Sequence, residues 1–167
     1  MTDDSNAVQC PACERAGSAP PIPGTDGVPA FSTAAVDPSV LPVVIAVPHG
    51  GRAYPPRVLA QLRDSAASRL RLEDRLVDRL GEAVAQATGA PLIVAHAPRA
   101  VIDLNRAADD IDWGMVAGRP SDRLAPSASP SLRGRARSGL GLVPRRLPGT
   151  GEIWKTALDP AELTARI

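Results

Sequence analysis

Leu41-Pro-Val-Val-Ile-Ala-Val-Pro-His49-Gly-Gly51 is the stretch on which the fold turns. A continuous β-branched run that stops at Pro48 and a pair of glycines is the pattern of a strand buried on both faces, the condition of strands in a parallel sheet. The segments that follow fit the same architecture. Tyr54-Pro-Pro starts a short helix through residues 57–63, since proline is tolerated in a helix's first turn and not later. A longer helix is expected over residues 72–87, with Leu72, Leu76, Leu80 and Val84 spaced four apart, Val77 alongside and Gly89 as the stop. Its leucine stripe is expected to pack on the sheet. Ala90-Pro-Leu-Ile-Val-Ala-His96 and Ala100-Val-Ile-Asp-Leu104 read as two further strands, and strand, helices and strand in this order give a right-handed parallel crossover. The fold class is α/β, with a mainly parallel sheet flanked by helices.

On either side of this block the patterning weakens. Residues 1–38 are dominated by Pro, Gly, Ser, Ala and Asp, bury too little apolar surface to offset their ordering entropy, and are expected to form a disordered or loosely attached extension to a domain of residues 39–167. Cys10 and Cys13 lie in that extension as Cys-Pro-Ala-Cys; with no second pair to complete a four-ligand zinc site, they read as two thiols on a flexible arm. Beyond Arg106 a long Pro-, Gly-, Ser- and Arg-rich stretch reads as a functional loop region or disorder. Asp159-Pro-Ala-Glu then opens a last helix, with a capping Asp and Pro in the first turn.

The chain has 167 residues, enough for one domain and one modest core. Its 19 Lys+Arg and 18 Asp+Glu leave a formal charge of +1, so no global field draws it to nucleic acid or to an anionic membrane. No apolar run approaches the ~18 residues of a membrane span. The Met1-Thr-Asp-Asp-Ser-Asn start carries no leader pattern, so the expected location is the cytoplasm and the expected partner a small molecule.

Few residues carry chemistry. His49 stands just past the carboxyl end of the first strand, where open parallel sheets bind ligands, with glycines that let a ligand approach the backbone. Neutral imidazole there is a natural zinc ligand, although a lone histidine is also a common structural hydrogen-bonder. Glu73, Asp74 and Asp78 are the nearest acidic residues. Asp74 and Asp78 share the face opposite the Leu76 stripe, as a solvated face does, while Glu73 lies nearer the apolar arc; periodicity selects no ligand among them. Asp103, Asn105 and Arg106 cluster where the third apolar run ends. A guanidinium fork with a neighbouring amide is equipment for a carboxylate, unless Asp103 pairs with Arg99 or Arg106 and locks the loop. Arg133, Arg135, Arg137, Arg145 and Arg146 lack the interleaved aromatic residues of a nucleic-acid surface and read better as a loop over a site. His96, at the end of the second run, reads as structural.

Val47-Pro-His-Gly-Gly-Arg, Leu72-Glu-Asp-Arg-Leu-Val-Asp-Arg-Leu, Arg99-Ala-Val-Ile-Asp-Leu-Asn-Arg and Gly139-Leu-Gly-Leu-Val-Pro-Arg-Arg-Leu-Pro-Gly, in that order, resemble the N-formylglutamate amidohydrolases. The resemblance runs from about Leu41 to Ile167, and the Asp-Leu-Asn-Arg block with Arg99 before it is its most specific part. It implies a fold related to zinc carboxypeptidases and deacylases, and hydrolysis of N-formyl-L-glutamate to L-glutamate and formate in histidine breakdown. It further implies that His49 is a zinc ligand with Asp74 of the Glu73-Asp74 block beside the metal, and that Asn105 and Arg106, with Arg99 near them, hold a substrate carboxylate. A family member continues into a histidine-bearing helix and an Asp-x-His-Ser strand, so the resemblance implies a domain incomplete at the C-terminus, with an impaired zinc site. No residue is assigned as general base.

Overall fold

The computed structural model describes residues 19–34, 39, 41–118 and 135–167. Cys10, Cys13 and Arg133 lie outside them, so neither the thiol pair nor that arginine receives a structural account.

Three strands form the main sheet: β1 (Phe31–Ala34), β2 (Ile45–Val47) and β3 (Leu92–Ala95), in the order β1-β3-β2. β2 runs parallel to β3, pairing Ile45 with Leu92 and Val47 with Val94. β1 runs antiparallel to β3, pairing Phe31 with Ala95 and Ala34 with Leu92. The sheet is therefore mixed, which corrects the expectation of a mainly parallel one. The same strand corrects the extension: residues 19–34 are ordered, although they lie within the stretch expected to be disordered. Their proline-rich turn closes on itself, with the Ile22 amide donating to the Val28 carbonyl (2.8 Å) and the Ala30 amide to that of Pro20 (2.8 Å), and it buries Ile22. Composition hid this because a single buried isoleucine and one short strand anchor the whole segment.

The helices are α1 (Pro56–Gln61), α2 (Ser65–Leu72), α3 (Val77–Thr88) and α4 (Pro160–Arg166). α1 begins on its prolines and α4 on Asp159, whose side chain accepts from the Ala161 amide (2.7 Å), both as the sequence indicated. The single helix expected over residues 72–87 is instead broken between Leu72 and Val77. The Asp74 amide turns away to donate to the His49 carbonyl (3.1 Å), and Leu76 takes a left-handed φ of 67°.

The break also changes which face packs. Val77, Gly81 and Ala85 lie on the sheet, whereas Leu76, Leu80 and Val84 are 60%, 62% and 41% exposed. Gly81 is the contact point, since a Cβ there would stand 2.6 Å from Val47 Cγ2. Asp78 and Glu82 line a cleft with Ser32 and Val94, on the β3 and β1 side of the helix. At 3.6 residues per turn the leucine flank lies nearly opposite them.

Ala100–Leu104, expected as a strand, is a turn. The amides of Val101 and Ile102 donate to the Pro98 carbonyl (2.8 and 3.3 Å), and Ala100 and Val101 are apolar because they enter a second core with Val58, Leu62, Leu72, Met115, Val143, Trp154 and Leu163. Val143, Leu147 and Ile153 belong to that core with Leu140 packed against it, and a short hairpin of β4 (Arg146–Leu147) and β5 (Gly151–Glu152) carries Leu147 into it, giving order to part of the C-terminal stretch.

Candidate metal and carboxylate site

His49 follows β2 directly and is held there by its glycines. A Cβ on Gly51 would collide with the backbone carbonyl of His96, so only glycine lets the loop lie against the end of β3, where the Ala53 amide donates to the same carbonyl (3.1 Å). His49 is thereby buried beside the turn that carries Arg99 and Asp103.

The imidazole is held on both nitrogens. Nδ1 lies 2.7 Å from an Arg99 guanidinium nitrogen, and Nε2 lies 2.9 Å from Asp103 Oδ1. A guanidinium can only donate, so Nδ1 accepts, and the ring proton sits on Nε2, which donates a hydrogen bond to Asp103. The same Arg99 nitrogen donates to Asp74 Oδ2 at 2.8 Å, which leaves Nδ1 and Oδ2 3.4 Å apart. Asp103 is buried, whereas the Asp74 side chain is half exposed.

Asp74 and Glu73, adjacent in sequence, go to different places. The Glu73 carboxylate is buried away from His49, against Arg69 (3.1 Å) and Arg75 (3.9 Å) and beside Tyr54. Burial first, and the neighbouring Glu73 charge second, push the Tyr54 phenol well above its ordinary range. Asp78 pairs with Arg52 (3.2 Å) at the cleft of about 240 Å³ that also holds His96, whose imidazole is pushed below its usual value by burial.

Of the carboxylate-binding candidates, Arg99 lies inside the cluster, while Arg106 and Asn105 lie beyond Asp103. Arg106 Nε donates to the Leu140 carbonyl (3.0 Å) and stands 3.5 Å from Asp103 Oδ2; the Asn105 amide donates to Asp103 Oδ1 (3.0 Å) and its side chain is exposed. Asp103 thus pairs with Arg106 and not with Arg99, and at the same time orients His49. That second role went unread from the sequence, although an aspartate inside an apolar run was its signal. Arg145 pairs with Asp112 (3.2 Å) and Glu152 (2.6 Å), and Arg146 with Glu152 (3.6 Å), so these two arginines present no bare basic surface.

Tetrahedral zinc with nitrogen and oxygen ligands sets neighbouring donors roughly 3.3 to 3.5 Å apart. The His49 Nδ1 to Asp74 Oδ2 separation of 3.4 Å fits two such positions, and the Asp103 carboxylate behind Nε2 is the usual support of a metal-bound imidazole. Among the described residues no third His, Cys, Asp or Glu joins them.

A model of the N-formylglutamate amidohydrolase family matches residues 41–167. The chain belongs to that family. The crystal structure of N-formylglutamate amidohydrolase from Ralstonia eutropha JMP134 is similar to it, with a TM-score of 0.62 and 35% identity over 82% of this chain and 46% of that one. This family member therefore spans less than half the length of the solved chain it matches. No curated protein matches it. Among its described residues no helix is long and apolar enough to cross a membrane.

Proposed function

We propose that this chain carries one side of a zinc-dependent, zinc-exopeptidase-like site that hydrolyses the amide of N-formyl-L-glutamate, or of a related N-acyl amino acid, to formate and L-glutamate. The observation that carries the reading is the His49 Nδ1 and Asp74 Oδ2 pair, 3.4 Å apart, with Asp103 on the far ring nitrogen. Family membership supports the acyl substrate, since the similar solved protein is named for N-formylglutamate.

His49 and Asp74 are the residues to hold the metal. When bound, zinc supplies a water acidified toward neutrality and a Lewis acid for the formyl carbonyl. Asp103 keeps the Nδ1 lone pair of His49 turned outward by accepting the hydrogen bond that Nε2–H donates. Arg99 stands at that position, Asn105 and Arg106 lie behind Asp103, and all three carry donors suited to the substrate carboxylate. In the reaction the formyl C–N bond breaks, water oxygen joins the formyl carbon, and the departing nitrogen takes a proton. The natural setting of this chemistry is histidine breakdown in the cytoplasm.

Two donors among the described residues are fewer than the three that hold a catalytic zinc, so turnover by these residues alone is expected to be weak. The same observation favours a second reading, a carboxylate-binding remnant without catalysis. Equilibrium zinc binding, together with formate release from N-formyl-L-glutamate, separates the two. The enzyme reading expects zinc near one per chain, lost in His49→Ala and Asp74→Ala, with formate released. Zinc binding indifferent to both substitutions sinks it, and glutamate binding without zinc or formate release establishes the remnant.

A further inference from the structure

A single nitrogen of Arg99 sits on the proposed donor pair. It lies 2.7 Å from His49 Nδ1 and 2.8 Å from Asp74 Oδ2, the same two atoms that fit a metal's separation. A terminal guanidinium nitrogen carries two hydrogens, so it can serve both acceptors at once. Nδ1 has one lone pair, however, and a lone pair that accepts from Arg99 cannot also face a cation. Two positive groups cannot share the space between these atoms.

Arg99 is also incompletely satisfied where it lies. Its Nε is buried with no hydrogen-bond partner, although the guanidinium has five donors to place. The side chain is 25% exposed and Asp74 is 46% exposed, so the group borders solvent on the side from which a cation or a ligand arrives. Asp103 holds His49 from behind, so the ring keeps its orientation when Arg99 moves.

We propose that Arg99 is a displaceable stopper on the His49–Asp74 donor pair: a divalent cation enters as the guanidinium leaves, and the released guanidinium then anchors an anionic ligand beside the cation. The inference rests on the metal reading above. Its consequence is reciprocal coupling. A carboxylate that draws Arg99 away tightens the cation, and the cation, by occupying Asp74, frees Arg99 for the carboxylate.

Zinc affinity of the full chain tests it, measured in chelator-buffered solutions with and without glutarate, a dicarboxylate lacking the amide. Arg99→Met, which keeps the stem and removes the charge, is expected to bind zinc about tenfold more tightly than wild type. Glutarate is expected to tighten zinc severalfold in wild type and not in Arg99→Met, with Arg99→Lys intermediate. If Arg99→Met does not fold, Arg99→Lys decides, and zinc binding no tighter than wild type overturns the proposal. Zinc binding that needs His49 but is unchanged or weakened in Arg99→Met, or indifferent to glutarate, overturns the stopper alone. Zinc binding that ignores His49→Ala overturns the metal reading itself, and the stopper with it.

Discussion

His49 Nε2 and Asp103 Oδ1 meet at 2.9 Å across 54 positions of sequence. The contact joins the loop after β2 to the turn that follows β3, and it fixes which ring nitrogen carries the proton. Asp103→Ala removes the acceptor and leaves Nε2–H buried without a partner. Zinc affinity is expected to fall about 10- to 100-fold, and stability by about 1–3 kcal/mol. Asp103→Asn, whose amide oxygen can still accept, is expected to lose less of both. Chelator competition and urea unfolding measure the two effects, and unchanged zinc affinity in Asp103→Ala removes the orienting role.

Gly81 is where α3 touches the sheet. Gly81→Ala gains about 1 kcal/mol in helix propensity but places a methyl against Val47 Cγ2, 2.6 Å away. Overpacking of this kind costs about 1–3 kcal/mol, so a net loss is expected from the urea midpoint. In the Val47→Ala background, with the obstructing methyls gone, the same substitution is expected to cost much less.

Leu76 is the one non-glycine residue with positive φ among those described, and it stands at the N-cap of α3 with its side chain 60% exposed. A left-handed conformation costs a leucine about 1–2 kcal/mol, which asparagine largely avoids. Little burial is lost on replacement, so Leu76→Asn is expected to raise stability by about 1 kcal/mol. A lower thermal midpoint contradicts this.

Burial holds the His96 imidazole below its ordinary value of 6.5, so the folded state binds its proton less readily than the unfolded state does. Stability from this group is therefore complete above the ordinary value and declines as pH falls from there through the folded value. His96→Gln is expected to flatten that part of the wild-type profile below about pH 6.5. Parallel profiles for the two proteins in urea unfolding from pH 7.5 to 5 contradict it.

Local signals reported local structure well. The apolar run of β3, the prolines opening α1 and the Asp159 cap all stand where the residues indicated, because each depends on neighbours a few positions away. β2 forms over Ile45–Val47 alone, at the sheet edge with Val43 and Val44 exposed, which corrects the expectation of a strand buried on both faces. The misreadings share a cause in distant partners. The break before α3 depends on the His49 carbonyl, which a helical period over residues 72–87 does not contain. β1 depends on β3, some sixty residues later in the chain. Ala100 and Val101 are apolar for a core that residues near Trp154 help build. At the site, His49, Asp74 and Arg99 were all named from the sequence and lie together, while Asn105 and Arg106 lie one layer out. The leucine stripe misdirected the packing of α3, whose contact point, Gly81, the sequence reading passed over.

The hydrogen bond from the Asp74 amide to the His49 carbonyl makes the two residues neighbours through the main chain before their side chains meet. The main chain thus sets the two residues side by side, and Arg99 and Asp103 then orient the side chains that space Nδ1 from Oδ2. An insertion or deletion of one residue between Leu72 and Val77 moves Asp74 away from His49, because it shifts the register of the amide that ties this segment to the loop.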